Sequence, residues 1–266
     1  MIHLTESGHP AGTIIVAAGI QPRYYEFQLS LDGLGAPVGT MLRIERSCDI
    51  AQNFNNGVKH MTGEWAWFLG DDHSFAPTLL MHLLSHRVDV VVPITPCKVP
   101  PFAPCLMHGP NDETNGYWHE KMPLYHWDEL SGHGLLPLPK GDFIGQAGML
   151  VRKSVLDEIG YPWFKCGQMD PGRLQEDLTF CRELQLKGHT VYVDQDIIFD
   201  HHAPMKITAT KHDGQWVPAL NSGTGGLLVM PYCATRRPEN INYNMAVDPR
   251  KTWAEQYKTE EPPIPA

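Results

Sequence analysis

The sequence lacks any long apolar run. No segment approaches the ~20 consecutive apolar residues that a membrane-spanning helix needs. The first residues, MIHLTESGHPAG, have neither a basic start nor an apolar core, so we expect no secretory signal. None of the six cysteines stands in a Cys-x-x-Cys pair, so neither a zinc knuckle nor a dithiol redox motif is indicated. We therefore expect a cytoplasmic protein with reduced thiols and no membrane span.

Positive charge is also scarce. The 266 residues include 21 Lys and Arg against 30 Asp and Glu, which gives a net charge of -9. Nucleic-acid-binding proteins usually present a basic patch or stripe, so this balance disfavours a broad phosphate-binding surface but leaves room for a small basic groove. The length suffices for one large domain or two small ones with a sizeable core.

Apolar strand-like and helix-like segments alternate through the first part of the chain. This order predicts βαβ units and a mainly parallel sheet flanked by helices, an α/β fold. The predicted strands are Thr13–Ala18, Met41–Ile44, Trp65–Leu69 and Val88–Pro93, and the predicted helices are Tyr24–Leu34, Ile50–Met61, capped by Asp49, and Leu79–Leu84. Later elements are a strand at Ala147–Val151, a helix at Lys153–Ile159, a helix after Gln175, and strands at Val191–Val193 and Ile197–Phe199 around a turn at residues 194–196.

The central stretch reads EWAWFLGDDHSFAP. Trp65 to Leu69 is an unbroken apolar run of strand length, which fits a strand buried on both faces of a parallel sheet. Asp71, Asp72 and His73 follow where this strand leaves the sheet, and ligand crevices in open α/β sheets lie at such ends. Adjacent carboxylates repel each other unless a cation lies between them or one is protonated. The alternative interpretation is a turn in which Asp72 or Ser74 caps the next helix.

Two later sites combine similar residues with similar positions. Glu176 and Asp177 open a segment with helical spacing, and His201 and His202 follow a strand-like run. A carboxylate in a first helical turn is stabilised by the macrodipole, so capping is the alternative to a functional role for the acidic pair. The proline-rich residues 95–140 predict a functional loop. Its aromatic residues, which form either an acceptor-binding wall or a self-packed loop, are Tyr117, Trp118, Tyr125 and Trp127.

Four segments together resemble the GT-A fold glycosyltransferases, especially glycosyltransferase family 2. FLGDDHSFAP looks like the Asp-x-Asp segment, and the helix with Ala51-Gln52-Asn53 looks like the family's Ala-Arg-Asn helix. GDFIGQAGMLVRKSVLDEIGYPWF looks like the acceptor-side segment, and QEDLTFCRELQLKGHTVYVDQDIIFDHH looks like the Glu-Asp helix with the late metal-binding histidine. The resemblance covers roughly residues 13–205.

The resemblance implies a domain layout. Residues 1–205 would form the GT-A domain, with a nucleotide-sugar half at about 1–95 and an acceptor half at about 96–205. Residues 206–266 would be a C-terminal extension packed on the same domain. The sheet would be the Rossmann-like, mainly parallel sheet of that fold, with a loop-rich acceptor region.

The resemblance also implies an activity and its residues. It points to an inverting transfer of a sugar from a UDP-type nucleotide-sugar to a hydroxyl acceptor, with Mn²⁺ or Mg²⁺ held by Asp72 and His201. Asp177 would be the base that takes the acceptor's proton, with Glu176 as the alternative carboxylate. The residues implied at the donor nucleotide are Ala17, Ala18, Gly19, Asn53 and Asp71.

Two positions depart from the family pattern. Gly70 stands where the first Asp of Asp-x-Asp aligns, and Gln52 stands where the family often has Arg, a charge that Lys98 or Arg152 could supply instead. The departure at Gly70 keeps a non-catalytic carbohydrate- or nucleotide-binding relative as an alternative. A nucleotidyltransferase is a further alternative, although such enzymes usually have a glycine-rich basic loop early in the chain. The acceptor stays open between a glycan, a protein and a hydroxylated nucleobase.

Overall fold

Strands and helices alternate along most of the chain in a computed structural model of the protein. The helices are α1 (Tyr25–Gly33), α2 (Ile50–Lys59), α3 (Leu79–Ser85), α4 (Lys153–Ile159) and α5 (Glu176–Leu186), with a 3-10 helix at Trp127–Leu130. The structure describes residues 2–19, 24–47, 49–98, 102–109, 124–130, 132–165, 167–169, 172–203, 205–212, 215–222 and 227–229.

The strands fall into one large sheet and several short ladders. Those of the first half are β1 (His3–Thr5), β2 (Thr13–Ala18), β3 (Gly35–Pro37), β4 (Met41–Arg46), β5 (Trp65–Gly70), β6 (His73–Ser74), β7 (Val90–Ile94) and β8 (Leu106–Met107). Those of the second half are β9 (Leu135–Pro137), β10 (Phe143–Ile144), β11 (Leu150–Arg152), β12 (Gly167–Met169), β13 (Gly172–Leu174), β14 (Tyr192–Ile198), β15 (Asp200–His201), β16 (Met205–His212), β17 (Gln215–Ser222) and β18 (Leu227–Val229).

The large sheet is mixed rather than wholly parallel. Its seven strands run in the order β4-β2-β5-β11-β7-β14-β9. β2 is parallel to β4 and β5, and β7 is parallel to β14, whereas β11 is antiparallel to both of its neighbours, β5 and β7. The predicted α/β class is therefore confirmed, with one reversed strand in the middle of the sheet and another, β9, at its edge.

The central strand β5 is buried on both faces, as its unbroken apolar run predicts. Ala66 and Phe68 pack into a core formed with α2, α4 and α5, while Trp65, Trp67 and Leu69 pack into a second core formed with α1 and α3. Successive side chains of a strand point to opposite faces, so a strand covered by helices on both sides needs apolar residues at every position.

Several predicted boundaries are confirmed and two local interpretations are wrong. Asp49 caps α2, because its side chain accepts hydrogen bonds from the N–H groups of Ala51 and Gln52. Helix α3 begins after Thr78 with no side-chain cap, so neither Asp72 nor Ser74 caps it. The predicted turn at residues 194–196 lies inside β14, where the pairing with β7 shifts register instead of ending.

The chain divides into two compact units. The first comprises residues 1–96 and 104–202, and the second comprises residues 97–103 and 203–266. The described part of the second unit includes β16, β17 and β18, which form an antiparallel sheet. The packing of residues 206–266 on the first domain stays a prediction. Within the described ranges, no helix has the length and apolar character that crossing a membrane requires.

Gly57 sets how closely α2 approaches β2. A Cβ at this buried position would lie 2.2 Å from Cγ2 of Ile15, a fully buried, stiff β-branched side chain. We expect Gly57→Ala to destabilise the protein by about 1–3 kcal/mol. Alanine normally stabilises a helix by ~1 kcal/mol over glycine, so the sign of the effect is diagnostic.

Thermal unfolding measures this effect. Asn56→Ala, at the exposed neighbouring position of the same helix, is the matched control and should change the melting temperature little or raise it slightly. A melting temperature of Gly57→Ala at or above that of the unsubstituted protein would show that α2 does not need the close contact.

Candidate functional site

A short antiparallel ladder brings the end of the central strand to a late part of the chain. β5 ends at Gly70, Asp71 and Asp72 form a turn, and β6 then pairs with β15, with His73 opposite His201. The backbone N–H of His202 also donates to the carbonyl of Asp72, at 2.7 Å. The structure therefore brings together Asp72 and His201, two residues far apart in the sequence.

The Asp72 carboxylate faces two imidazole rings. Its Oδ1 lies 2.9 Å from Nδ1 of His73, and its Oδ2 lies 3.7 Å from Nε2 of His201. These three residues each offer a ligand atom, and the three atoms lie within 4.8 Å of one another. Two ligand atoms 3.7 Å apart can both lie about 2.0–2.2 Å from one cation, so Asp72 and His201 could hold a divalent metal.

His201 is oriented for such a role by its other ring nitrogen. Its Nδ1 lies 2.8 Å from the backbone carbonyl of Pro96. A carbonyl oxygen only accepts, so Nδ1 carries the proton, and in the neutral ring the lone pair is on Nε2, toward Asp72. Metal-bound histidines are typically anchored in this way through their second nitrogen. The 3.7 Å between Nε2 and the carboxylate exceeds a hydrogen bond and suits an intervening cation.

His73 is a residue of this cluster that the sequence analysis did not assign. It is buried, 4% exposed, and stacks between Phe199, at 4.7 Å between ring centroids, and His201, at 4.3 Å. Its position directly after the acidic pair is the one local signal that could have identified it. The decisive fact is its register opposite His201, and a two-residue ladder leaves no periodic pattern in the sequence.

The ring of His202 points elsewhere. Its Nε2 lies 2.9 Å from the hydroxyl of Ser74, and the ring stacks on Tyr24 at a centroid distance of 5.3 Å. His202 therefore helps to hold the turn through its backbone and packs its ring outside the cluster of Asp72, His73 and His201.

A cavity of about 300 Å³ lies next to Asp72. Asp71 Oδ2 accepts a hydrogen bond of 3.0 Å from the N–H of Gly19, which joins the acidic turn to the end of β2. The cavity therefore lies at the carboxyl ends of two parallel strands, where open α/β sheets bind ligands. Its lining includes all five residues implied at the nucleotide, which are Ala17, Ala18, Gly19, Asn53 and Asp71. Ser47, Ile50, Gly70 and Asp72 also line it.

Asn53 is the buried polar group of this cavity. Its Nδ2 donates a hydrogen bond of 3.4 Å to the carbonyl of Ala18, but its Oδ1 has no donor among the residues that the structure describes. A buried oxygen without a donor is costly, and a hydroxyl or amino group of a ligand would satisfy it. Asn53 could therefore accept a hydrogen bond from a polar group of a ligand bound in this cavity.

Gly70 leaves no space for a second carboxylate at its position. A Cβ built there would lie 2.7 Å from Oδ1 of Asp72 and 3.1 Å from the ring of His73. An aspartate at position 70 would displace both groups. The ring of His73 occupies this space. Asp71 does not supply the second carboxylate beside Asp72, because its side chain is directed toward the N–H of Gly19.

Asp177 lies in the first turn of α5, and its Oδ1 accepts a hydrogen bond of 2.7 Å from the N–H of Leu178. Burial, reinforced by the negative charge of Glu176, raises the pKa of Asp177 to about 7. The helix amides act in the opposite direction, but desolvation outweighs them. Glu176 lies in the same turn, and both residues are half-buried by their exposed surface.

Asp177 is at the same sheet edge as Asp72 without joining its cluster. Its Oδ2 would be 3.6 Å from a Cβ on Gly145. The segment from Gly145 leads into β11, which is antiparallel to β5. This segment therefore lies at the edge of the sheet where β5 ends. There the N–H of Gly148 donates a hydrogen bond to the carbonyl of Phe68. The two carboxylates therefore occupy one edge of the sheet, and the metal-capable clusters of the described residues leave Asp177 out.

The predicted acceptor loop is described only in part, and Tyr117 and Trp118 lie outside the described residues. Tyr125 is buried in the core on the α2 side of the sheet, donates a short hydrogen bond to Asp142 and stacks on His108, so it is not part of an exposed acceptor wall. Trp127 is 38% exposed and presents aromatic surface.

The suggestion that Arg152 supplies a positive charge to the nucleotide-sugar donor is wrong. It pairs in register with Trp65 at the start of β5 and forms an ion pair with Asp89, so it lies at the opposite edge of the sheet from Asp72. Six residues of β5 separate the two edges, roughly 16–20 Å at 3.3 Å per residue. Lys98 belongs to the second unit and stays a prediction.

Comparisons with known proteins leave the family open. No protein family matches the chain, and no curated protein matches it. Among solved structures, the chain is similar to one described as "Crystal Structure of A197 from STIV", with 11% sequence identity and a TM-score of 0.42 over 87% of this chain and 98% of that chain. A similarity this low identifies no family and no function.

Proposed function

We propose that the protein is a metal-dependent glycosyltransferase that moves a sugar from a UDP-type nucleotide-sugar to a hydroxyl acceptor with inversion. The observation that supports this most is the 3.7 Å approach of His201 Nε2 to Asp72 Oδ2 beside a cavity of about 300 Å³. A cation held at this point would lie where a diphosphate enters a crevice at the carboxyl ends of parallel strands.

Asp72 and His201 would hold the metal, with His73 adjacent. The cation would neutralise the charge that develops on the departing nucleoside diphosphate. We favour Mn²⁺ over Mg²⁺, because Mg²⁺ prefers oxygen ligands whereas this site includes imidazole nitrogen. The Pro96 carbonyl fixes the ring of His201, so little reorganisation is needed on binding.

The cavity residues would bind the nucleoside. The small side chains of Ala17, Ala18 and Gly19 leave the end of β2 open to a base or ribose, and Asn53 Oδ1 offers a buried acceptor to its hydroxyl or amino groups. Asp71 would contact the ribose from the other side, since its carboxylate already reaches the N–H of Gly19.

Asp177 would take the proton of the acceptor hydroxyl. A general base is most effective when its pKa lies near the working pH, and burial raises the pKa of Asp177 to about 7. A neighbour of the same charge, Glu176, contributes to this tuning. Inversion follows if the deprotonated hydroxyl attacks the face of the sugar opposite the leaving diphosphate.

Two other functions remain as alternatives. The glycine at position 70, where the resembling enzymes have a metal-associated aspartate, favours a non-catalytic relative that binds a carbohydrate or nucleotide. Slow, metal-dependent release of UDP from a UDP-sugar would distinguish a transferase from such a relative. The nucleotidyltransferase alternative has less support, because the early part of this sequence has no glycine-rich basic phosphate loop. We also propose cytoplasmic residence, and an acceptor that is a glycan, a protein or a hydroxylated nucleobase.

Calorimetry with UDP tests the proposed site. In EDTA, the two phosphates of UDP face the carboxylates of Asp71 and Asp72 and are repelled, whereas a bound cation reverses this interaction. We expect UDP to bind at least about tenfold more tightly in Mn²⁺ than in EDTA, a difference of about 1.4 kcal/mol or more.

Uridine is the matched control ligand, because it keeps the nucleoside and lacks the diphosphate. Its affinity should be the same in Mn²⁺ and in EDTA. Equal affinity of UDP in the two buffers would mean that the acidic turn is not a diphosphate-metal site, and the proposed function would fail with it.

A further inference from the structure

A second group of metal-capable side chains lies away from the acidic turn. His82 and His86 are four residues apart at the C-terminal end of α3, and both rings point to Asp194 on β14. Nε2 of each histidine lies 2.8 Å from the same oxygen, Oδ2 of Asp194. The ligand atoms of the three residues all lie within 4.8 Å of one another. None of them belongs to the cluster around Asp72.

Asp194 is the unusual member of this group, because its side chain is wholly buried. A buried carboxylate is costly unless it is paired or bound to a metal. Its Oδ1 accepts a hydrogen bond of 3.0 Å from the N–H of Asp196, which orients the carboxylate and leaves Oδ2 to the two rings. The carboxylate is therefore fixed by the strand rather than free to turn away.

The two histidines provide both the remaining ligands and a route from solvent. Residues four apart on a helix share one face, so the rings can converge on one point. The side chain of His82 is 40% exposed and that of His86 is 18% exposed, so the group opens to solvent on the helix side. Two imidazoles and one carboxylate are ligands typical of Zn²⁺.

The distances are close to those of a zinc site. Ligand atoms about 2.0–2.1 Å from a tetrahedral ion lie roughly 3.3 Å apart. Each nitrogen is 2.8 Å from the carboxylate oxygen, so each would have to move outward by only about half an ångström. Small rotations of the two histidine side chains, which are 40% and 18% exposed, can make this movement without changing the backbone.

We propose that His82, His86 and Asp194 form a zinc site that joins α3 to β14, with the fourth position open to water. The site is independent of the proposed transferase chemistry and would exist even if that function were wrong. A further carboxylate lies nearby: Asp196 is 41% exposed and accepts a hydrogen bond from His133. Its negative charge would attract a cation to the opening.

The test uses the full chain with Asp72→Asn and His201→Ala, so that the acidic turn no longer binds metal. Calorimetric titration with Zn²⁺ should show one site per chain, and Co²⁺ in its place should give the strong visible absorption of a tetrahedral nitrogen and oxygen site. Adding His86→Gln, which keeps a hydrogen-bond donor for Asp194, should weaken Zn²⁺ binding by about a hundredfold or more and remove the Co²⁺ spectrum.

The matched control adds His60→Gln instead, at an exposed histidine whose Nδ1 lies 2.9 Å from the backbone carbonyl of Asn56. This variant should bind Zn²⁺ as tightly as the background protein. A background protein without one-to-one Zn²⁺ binding would overturn the proposal, and so would equal affinity in the His86→Gln and His60→Gln variants. If His86→Gln fails to fold, the stoichiometry and the Co²⁺ spectrum of the background protein decide the outcome alone.

Discussion

Asp177→Asn should lower the rate of sugar transfer by about 10²–10⁴-fold, the usual contribution of a positioned general base. Asparagine keeps the size of the side chain and can still accept the hydrogen bond from the N–H of Leu178. It cannot take a proton from the acceptor. The affinity for UDP should stay nearly unchanged, because the base acts only as the acceptor attacks.

The pH profile gives this prediction a second readout. Burial raises the pKa of Asp177 to about 7, and only the deprotonated carboxylate can act as a base. The transfer rate of the unsubstituted protein should therefore rise with pH up to about 7 and level off above it. The residual activity of Asp177→Asn should lack this rise.

As pH rises from about 4 to 7, the transfer rate of the unsubstituted protein should rise while its stability falls. The folded state raises the pKa of Asp177 from 3.8 to about 7, so between these values it binds more protons than the unfolded state. Stability therefore falls as pH rises through this window, and the full cost of the buried charge remains above it. Asparagine has no such charge, so we expect Asp177→Asn to melt a few degrees above the unsubstituted protein at pH 8, and to lose this advantage near pH 4.

The matched control is Glu176→Gln in the same helical turn. It should keep most of the transfer activity and lower the pKa of Asp177, because the neighbouring negative charge is removed. Full activity in Asp177→Asn together with a large loss in Glu176→Gln would assign the base to Glu176. Full activity in both variants would remove the acidic pair from the mechanism.

Asp72→Asn and His201→Ala should each abolish metal-dependent binding of UDP and reduce transfer by about 10³-fold or more. The two residues offer ligand atoms 3.7 Å apart, and losing either leaves the cation with too few protein ligands. Calorimetry with UDP in Mn²⁺ and in EDTA, together with the transfer rate, measures both effects. In each variant the Mn²⁺ dependence of UDP affinity should disappear.

His202→Ala is the matched control for this prediction. His202 is adjacent in the sequence, but its ring contacts Ser74 and Tyr24, so its loss should leave the metal dependence intact. A loss of metal dependence in His202→Ala with retention in His201→Ala would reverse the assignment of the ligand. Retention in Asp72→Asn would show that no cation binds at this carboxylate.

Features set by local sequence could be predicted, and those set by long-range pairing could not. The apolar run of β5 predicted a strand covered on both faces, and Asp49 predicted the start of α2, because both depend on nearby residues. The direction of β11 could not be predicted, since a strand of three residues, two of them buried, looks the same in parallel and antiparallel pairing. Its reversal depends on the strands on either side.

The candidate site shows the same division. The resemblance selected Asp72 and His201, which the structure brings together. His73 was noted beside the acidic pair but given no role, because its place in the cluster depends on a two-residue ladder. Asp194 was predicted to lie in a turn at residues 194–196. It is instead a buried residue of β14, and its carboxylate pairs with His82 and His86, more than a hundred residues earlier.

The position of β11 in the sheet has a consequence for how the chain folds during synthesis. β11 lies between β5 and β7, although both of those strands are made well before it. Until residue 150 leaves the ribosome, the edge of β5 that pairs with β11 has no hydrogen-bonding partner, and the apolar side chains of Trp67 and Phe68 lie on the two faces of that strand. At typical synthesis rates this interval lasts on the order of 4–16 seconds, and open apolar edges of this kind invite aggregation. The nascent chain should therefore depend on a chaperone, or on slow release, more than a sheet built in sequence order would.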